Sequence, residues 1–125
     1  MTLKEYKDYF KNAFNWTDSI SIGKIDNNQE KAVCFYNATR GSYGATINNK
    51  TTNVKHITIL LRYTKNQNTA EIKANEIYNF FNNKRFEINS KEVFVMMQCA
   101  EPINLGTDDN NVYEYSIELD FYEQI

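Results

Sequence analysis

Carboxylates recur near the end of this 125-residue sequence. Glu114, Glu118 and Asp120 share one alternating series, and Asp108 and Asp109 come shortly before it. On a β-strand, residues two positions apart share a face and lie about 7 Å from one another. Carboxylates at such distances can perform general acid–base chemistry. Alternating charge is also ordinary on the solvent face of an antiparallel strand. The series therefore indicates either an active site or an acidic sheet surface.

The rest of the sequence supplies few groups that could join these acids in catalysis. His56 is the only histidine, and it lies in the middle of a strand-like segment, as a half-exposed sheet residue would. No zinc-ligand spacing, phosphate-binding glycine loop or nucleophile elbow occurs. Cys34 and Cys99 lie far apart in apolar segments, and we expect them to be reduced core thiols of an intracellular protein. We therefore expect no enzyme activity, no metal and no cofactor.

Length and composition favour a single domain over residues 1–125. Hydrophobic residues make up 42% of the chain, which is typical of a folded protein. The net charge of -2 argues against nucleic-acid binding driven by total charge. No apolar run approaches the ~18 residues of a transmembrane helix, and the charged N-terminus lacks the apolar segment of a secretory signal. We accordingly expect no membrane partner.

Apolar spacing predicts two helices. Thr2 and Glu5 form a capping-box pattern, and the apolar residues behind them repeat at helical intervals over 2–15. A second capping-box pattern begins at Asn68 and predicts a helix over 69–83. Both helices would carry an apolar stripe that must pack against another element.

Alternating patterns predict the strands. Segments 19–25 and 31–37 are expected to form a hairpin, 38–53 a long polar loop, and 54–65 a long strand. The remaining elements predicted are a short strand near Phe86, a turn at Asn89–Ser90, a longer strand through Met97, a loop over 103–111 and a closing strand from Tyr113.

This order predicts an α+β fold, with a mostly antiparallel β-sheet and two α-helices packed on one face. The closing strand would turn five residues toward the helices: Tyr113, Tyr115, Ile117, Leu119 and Phe121. The acids of the same strand would then point to the opposite face.

Three segments resemble the tail terminators of long-tailed bacteriophages, a family often described in prophages as a minor capsid protein. Residues 54–81 read VKHITILLRYTKNQNTAEIKANEIYNFF, a strand leading into a helix with regularly spaced alanines. Residues 86–122 contain EPINLGTDDNNVYEYSIE, the portion most similar to the family. Residues 39–51, TRGSYGATINNKT, occupy the place of a variable loop. None of these segments carries a catalytic motif.

The resemblance implies a structural role. Tail terminators cap the finished tail tube as a ring, commonly a hexamer, and provide the surface that joins the head. The implied partners are further copies of the chain, the tail tube protein and the head–tail connector or head-completion protein, while DNA passes through without specific binding. The implied location is the tail or neck of the virion, after synthesis in the host cytoplasm. The alternatives are a neighbouring head-completion or neck protein and a non-enzymatic interaction module from a mobile element.

In such a ring, one patch of each subunit meets a different patch of the next. Acids on the channel wall would repel the phosphates of passing DNA. Alternatively, the acids would pair with a cation of the next subunit, such as Arg62 or Lys65. The residues expected at subunit contacts or in the channel are Arg40, Tyr43, Ile47, Arg62, Asp108, Asp109, Glu114, Glu118 and Asp120.

Overall fold

A computed structural model describes residues 1–38 and 52–124 of the chain. These residues form two helices and seven strands. The helices are α1 (Leu3–Ala13) and α2 (Gln67–Phe81). The strands are β1 (Ser19–Ile22), β2 (Lys31–Asn37), β3 (Thr52–Tyr63), β4 (Arg85–Ile88), β5 (Lys91–Met97), β6 (Ile103–Thr107) and β7 (Tyr113–Gln124). The predicted α+β class is confirmed.

Both helices begin at side-chain caps. The hydroxyl of Thr2 accepts from the backbone N–H of Glu5, and the Glu5 carboxylate accepts from the backbone N–H of Thr2, so the predicted capping box is present. In α2 the cap is Asn66 rather than Asn68, and its side chain accepts from the N–H of Thr69 at 3.0 Å. The helix consequently starts two residues before its predicted position, with Asn68 inside the first turn.

One sheet contains the seven strands of the described residues, in the order β1-β2-β3-β7-β5-β4, and β6 also pairs with β7. β3 and β7 form its centre and pair antiparallel along most of their length. The β4–β5 hairpin turns at Asn89 and Ser90, as predicted, and both residues have positive φ, at 53° and 66°. The sheet is antiparallel throughout except between β1 and β2.

The two helices cover one face of the sheet and enclose an aromatic core. Phe10 of α1 and Phe81 of α2 are fully buried and stack on each other with ring centroids 5.6 Å apart. Tyr6 stacks on Phe121 of β7 at 4.0 Å. The strand residues packed under the helices are Val33, Phe35, Ile57, Ile59, Leu61, Val93, Val95, Tyr115, Ile117, Leu119 and Phe121. The alternation of the last strand therefore places its apolar residues in the core.

A buried carboxylate ties α1 to the end of the last strand. Glu123 is 6% exposed and accepts a hydrogen bond from the hydroxyl of Tyr6. Its other oxygen lies 3.1 Å from the amino group of Met1. Burial, together with the hydrogen bond to Glu123, raises the pKa of Tyr6 above the ordinary tyrosine value. This acid lies on the helix-covered face, unlike the acids earlier in the strand.

The predicted hairpin of 19–25 and 31–37 is wrong, because β1 and β2 are adjacent but parallel. Gly23 leaves the strand with a φ of 76°, and its N–H donates to the carbonyl of Phe35 at 2.9 Å. Ile25 then packs against Ala32 and Cys34 on the side of the sheet away from the helices. The burial of Ile25 on that side accompanies a connection that returns the chain to the start of β2, so that the two strands run in the same direction.

The predicted loop over 103–111 is also corrected, since its first half is strand β6. This strand pairs antiparallel with β7 and contains a bulge between Asn104 and Gly106. The turn that follows is closed by Asp108, whose side chain accepts from the N–H groups of Asn110 and Val112 at 2.9 and 3.1 Å. Because turn-forming residues are abundant after Thr107, the sequence pattern predicted a loop where the structure has a five-residue strand.

Candidate functional site

The face of the sheet away from the helices, here called the open face, displays alternate residues of the two central strands. Cross-strand register sets the pairs on it: His56 with Asp120, Thr58 with Glu118, Leu60 with Ser116, and Arg62 with Glu114. Glu114, Glu118 and Asp120 of the last strand therefore lie on the side opposite the helix-covered core. They form a row along β7 that faces a mixed row along β3.

Two of these acids are held by hydrogen bonds across the strands. Nδ1 of His56 lies 2.8 Å from Oδ1 of Asp120, and the two side chains are 16% and 7% exposed. The Thr58 hydroxyl donates to Glu118 at 2.8 Å, and the Ser116 hydroxyl donates to the same carboxylate at 3.1 Å. Such cross-strand pairs stabilise a sheet and fix the direction of each carboxylate.

Arg62 holds Asp108 at the other end of the open face. Its Nε donates to Oδ2 of Asp108 at 2.8 Å, its Nη2 lies 2.7 Å from the same oxygen, and its Nη1 donates to the carbonyl of Gln29. Arg62 is 2% exposed. One buried guanidinium thus joins β3, the segment before β2 and the turn before β7.

The pKa values of Asp108 and Glu114, the two acids beside Arg62, are shifted in opposite directions. Burial alone would raise the pKa of Asp108, but hydrogen bonds from Val112, Arg62 and Asn110 outweigh it, so the pKa lies below the ordinary value. Burial, reinforced by the negative charge of Asp108, raises the pKa of Glu114 above its ordinary value despite the opposing effect of Arg62. The difference arises because Asp108 accepts hydrogen bonds from Val112, Arg62 and Asn110, whereas Arg62 acts on Glu114 only through its charge.

The structure gathers several of the predicted contact residues on the open face. Arg62, Asp108 and Glu114 lie together at one end, and Glu118 and Asp120 follow along β7. Asp109 is exposed in the turn between β6 and β7.

The two cations expected to pair with the next subunit differ in exposure, and three further predicted contact residues lie outside the described part of the chain. Arg62 was expected as a partner for acids of the next subunit, but it is buried against Asp108 of its own chain. Lys65, the other cation considered, is exposed. Arg40, Tyr43 and Ile47 lie outside the described residues.

Sequence reasoning missed an apolar edge on β6. Ile103 is 43% exposed and Leu105 is 51% exposed. The alternation of these two residues was a signal for a strand, but the turn-forming residues around it dominated the pattern. In the described part of the chain, no group of three or more acids, cysteines and histidines is arranged to hold a metal ion. None of the described helices is long and apolar enough to cross a membrane.

Comparison with known proteins agrees with the resemblance. A protein-family model for the bacteriophage tail terminator protein matches residues 11–122. The matched range spans every strand except the end of β7, together with α2 and the end of α1. No curated protein matches the chain. Because the family model covers nearly the whole sequence, the chain belongs to the bacteriophage tail terminator family and is a structural component of the phage tail.

Proposed function

We propose that copies of this chain close into a ring, with six as the expected number, that caps the tail tube and forms the surface to which the head is joined. The observation that carries the proposal is the family match over residues 11–122. Its partners would be the tail tube protein on one side and the head–tail connector or head-completion protein on the other. The same match favours this position over a head-completion protein of the neck and over an unrelated interaction module.

A structural rather than catalytic role is supported by how the acids are engaged. Asp108 is held by Arg62 and by two backbone N–H groups, and Asp120 is held by His56. A general acid or base must instead reach a substrate proton. These carboxylates are arranged to hold strands and a turn in place.

A stop codon in this gene of the phage genome tests the capping role. Infected cells are expected to accumulate heads and tails that do not join, and electron microscopy would count joined and separate particles. A plasmid copy of the wild-type gene should restore joined particles. Normal joined particles in the absence of the protein would contradict the proposal.

We further propose that the open face and the turn beside it face the channel through which DNA passes. Asp109 is exposed in that turn, and Glu114 is half-buried on the face itself. Carboxylates on a channel wall repel phosphates and remove the counterion release that drives DNA binding. DNA would therefore move through the ring without being held.

Charge reversal tests whether these acids face the channel, lie on the outer wall of the ring or contact the next subunit. The variants Asp109→Lys and Glu114→Lys, in the assembled ring, are expected to retain double-stranded DNA at low salt and to release it as salt rises. Glu71→Lys, an exposed acid of α2 on the other side of the sheet, is the matched control and should retain less DNA. Equal retention by all three rings would contradict the channel assignment. Dissociation of the wild-type ring by high salt would instead indicate that the acids pair with cations of the next subunit, for which Lys65 is the exposed candidate.

A further inference from the structure

We infer that neighbouring subunits join by pairing strand β1 of one copy antiparallel with strand β6 of the next, so that the sheet continues from subunit to subunit. This inference rests on the proposed ring. It concerns which edges meet, in which register, and which face each subunit turns inward.

Two edges of the sheet lack the charged side chains and prolines that commonly keep an edge from pairing with another chain. β1 pairs with β2 alone and β6 with β7 alone, among the strands of residues 1–38 and 52–124. Their sequences, SISI and INLGT, contain no charged residue and no proline. Exposed isoleucine or leucine side chains lie on both, at Ile22, Ile103 and Leu105. Uncharged apolar edges are ready templates for strand addition.

The third edge strand, β4, differs in chemistry. It carries the exposed charges Arg85 and Glu87, and Arg85 forms an exposed ion pair with Glu92 of β5. Charged side chains are a common device for keeping an edge unpaired. The two edges without charged side chains are therefore β1 and β6, and they lie on opposite sides of β7 in the sheet.

The register places these two edges in the same row of the sheet. Ser21 pairs with Cys34, Cys34 with Leu60, Leu60 with Ser116, and Ser116 with Ile103. A straight line across the sheet therefore runs from β1 at one edge to β6 at the other. A second copy placed alongside, with no shift along the strands, brings its β1 against β6.

The charged strand β4 lies far from this row. Arg85 pairs with Phe94, which pairs with Tyr122. Tyr122 is six positions beyond Ser116 on β7, a distance of about 20 Å along a strand. The β4–β5 hairpin thus leaves a step in the sheet edge at the level of β6, where the short strand β1 of a neighbour would enter.

Strand direction also fits a repeating head-to-tail contact. β1 runs parallel to β2, and β2, β3, β7 and β6 alternate in direction. β1 and β6 consequently run in opposite directions. A neighbour in the same orientation would make an antiparallel pair, which is the more stable arrangement. One patch then meets a different patch of an identical chain, as a closed ring requires.

A continuous sheet fixes which surfaces the ring presents. Every subunit would keep its helices on one side of the sheet and its open face on the other. If the helices face outward, the open faces of all copies line the channel. The edge contact therefore supplies a geometric reason for the channel position of the acids.

Substituting lysine on the β6 edge tests the contact. Light scattering measures the mass of each variant in solution, and thermal unfolding checks that each variant is folded. Ile103→Lys and Leu105→Lys are expected to abolish the ring while leaving the subunit folded. Ile72→Lys is the matched control, because Ile72 is 52% exposed on α2, away from both edges. The control should form rings like the wild type. Rings that persist in both β6 variants would overturn the inference.

Disulfide cross-linking tests the register independently. In the unshifted pairing, Ser21 of one copy lies opposite Ile103 of the next, at a Cα separation of about 4.5–5.5 Å that a disulfide can span. Oxidised Ser21→Cys/Ile103→Cys rings should give a ladder of covalent oligomers on a denaturing gel. The control Ser21→Cys/Ile72→Cys should not. Rings without this ladder would overturn the register and leave the capping role intact, whereas wild-type chains that never assemble would overturn the proposed ring itself.

Discussion

Arg62 and Asp108 form an ion pair that joins the centre of the sheet to the turn before the last strand. Nε and Nη2 of Arg62 lie 2.8 and 2.7 Å from Oδ2 of Asp108, and the side chains of Arg62 and Asp108 are 2% and 19% exposed. The same guanidinium donates to the carbonyl of Gln29. Three separate segments of the chain thus depend on one buried cation.

Replacing this cation should destabilise the fold. Arg62→Ala leaves Asp108 and the Gln29 carbonyl without a charged donor, so we expect the free energy of unfolding to fall by about 3 kcal/mol. Urea denaturation followed by circular dichroism measures the change. Arg85→Ala is the matched control, since it breaks an ion pair whose side chains are 65% and 55% exposed, and it should cost less than about 1 kcal/mol. Equal losses in the two variants would contradict the structural role of Arg62.

Asp108 should make the stability of the fold depend on pH in the acidic range. Its pKa is lowered in the folded state, so its contribution is present above the unfolded value near pH 4 and is lost as pH falls through the folded value. Asp108→Asn is therefore expected to destabilise the protein at pH 7 and to matter less at pH 3. Asp109→Asn, on the exposed neighbour, serves as the control. An Asp108→Asn effect that is the same size at both pH values would refute this prediction.

Glu114 should behave in the opposite way. Because burial and the charge of Asp108 raise its pKa in the folded state, the ionised form costs stability once pH rises above the ordinary glutamate range. Glu114→Gln is expected to raise the urea midpoint at pH 7 by an amount worth no more than about 1 kcal/mol, and to have less effect near pH 4. Destabilisation at pH 7 would show that the charge is needed where it stands.

Removing the hydroxyl of Tyr6 tests how much its hydrogen bond to the buried carboxylate of Glu123 stabilises the fold. Tyr6→Phe keeps the ring stacked on Phe121 but removes the donor to Glu123. Loss of a hydrogen bond to a charged group should lower the free energy of unfolding by about 1.5–3 kcal/mol. Tyr9→Phe retains the stacking of that ring on Phe86 at 4.0 Å and should change stability by less than about 0.5 kcal/mol. A loss no larger in Tyr6→Phe than in this control would argue against the tie between α1 and β7.

The parts of the fold that sequence predicted are those governed by local repeats. The helical stripe behind Thr2 and the alternation from Tyr113 to Phe121 each bury one side of an element, so their periods are visible along the chain. The turn at Asn89–Ser90 was predicted between two strand-like segments, and both residues have positive φ in the structure. These features depend on neighbours in sequence.

The errors have non-local causes. β1 is parallel to β2, and Ile25, which follows β1, packs against Ala32 and Cys34 of β2 on the side of the sheet away from the helices. β6 is a strand because β7 offers it an edge, although its own sequence is short and interrupted by a bulge. Likewise, the acid series on β7 was readable in sequence, but the pairing of Arg62 with Asp108 depends on a contact between residues 46 positions apart.

The central claim, that this chain closes into a ring, is tested most directly by the mass of the purified wild-type protein in solution. Size-exclusion chromatography with multi-angle light scattering, over a wide range of protein concentrations, measures it. We predict one discrete species of six times the mass of the single chain, whose mass stays fixed as concentration rises because the head-to-tail contact closes. A monomer at every concentration, or polymers that keep growing with concentration, would contradict the claim.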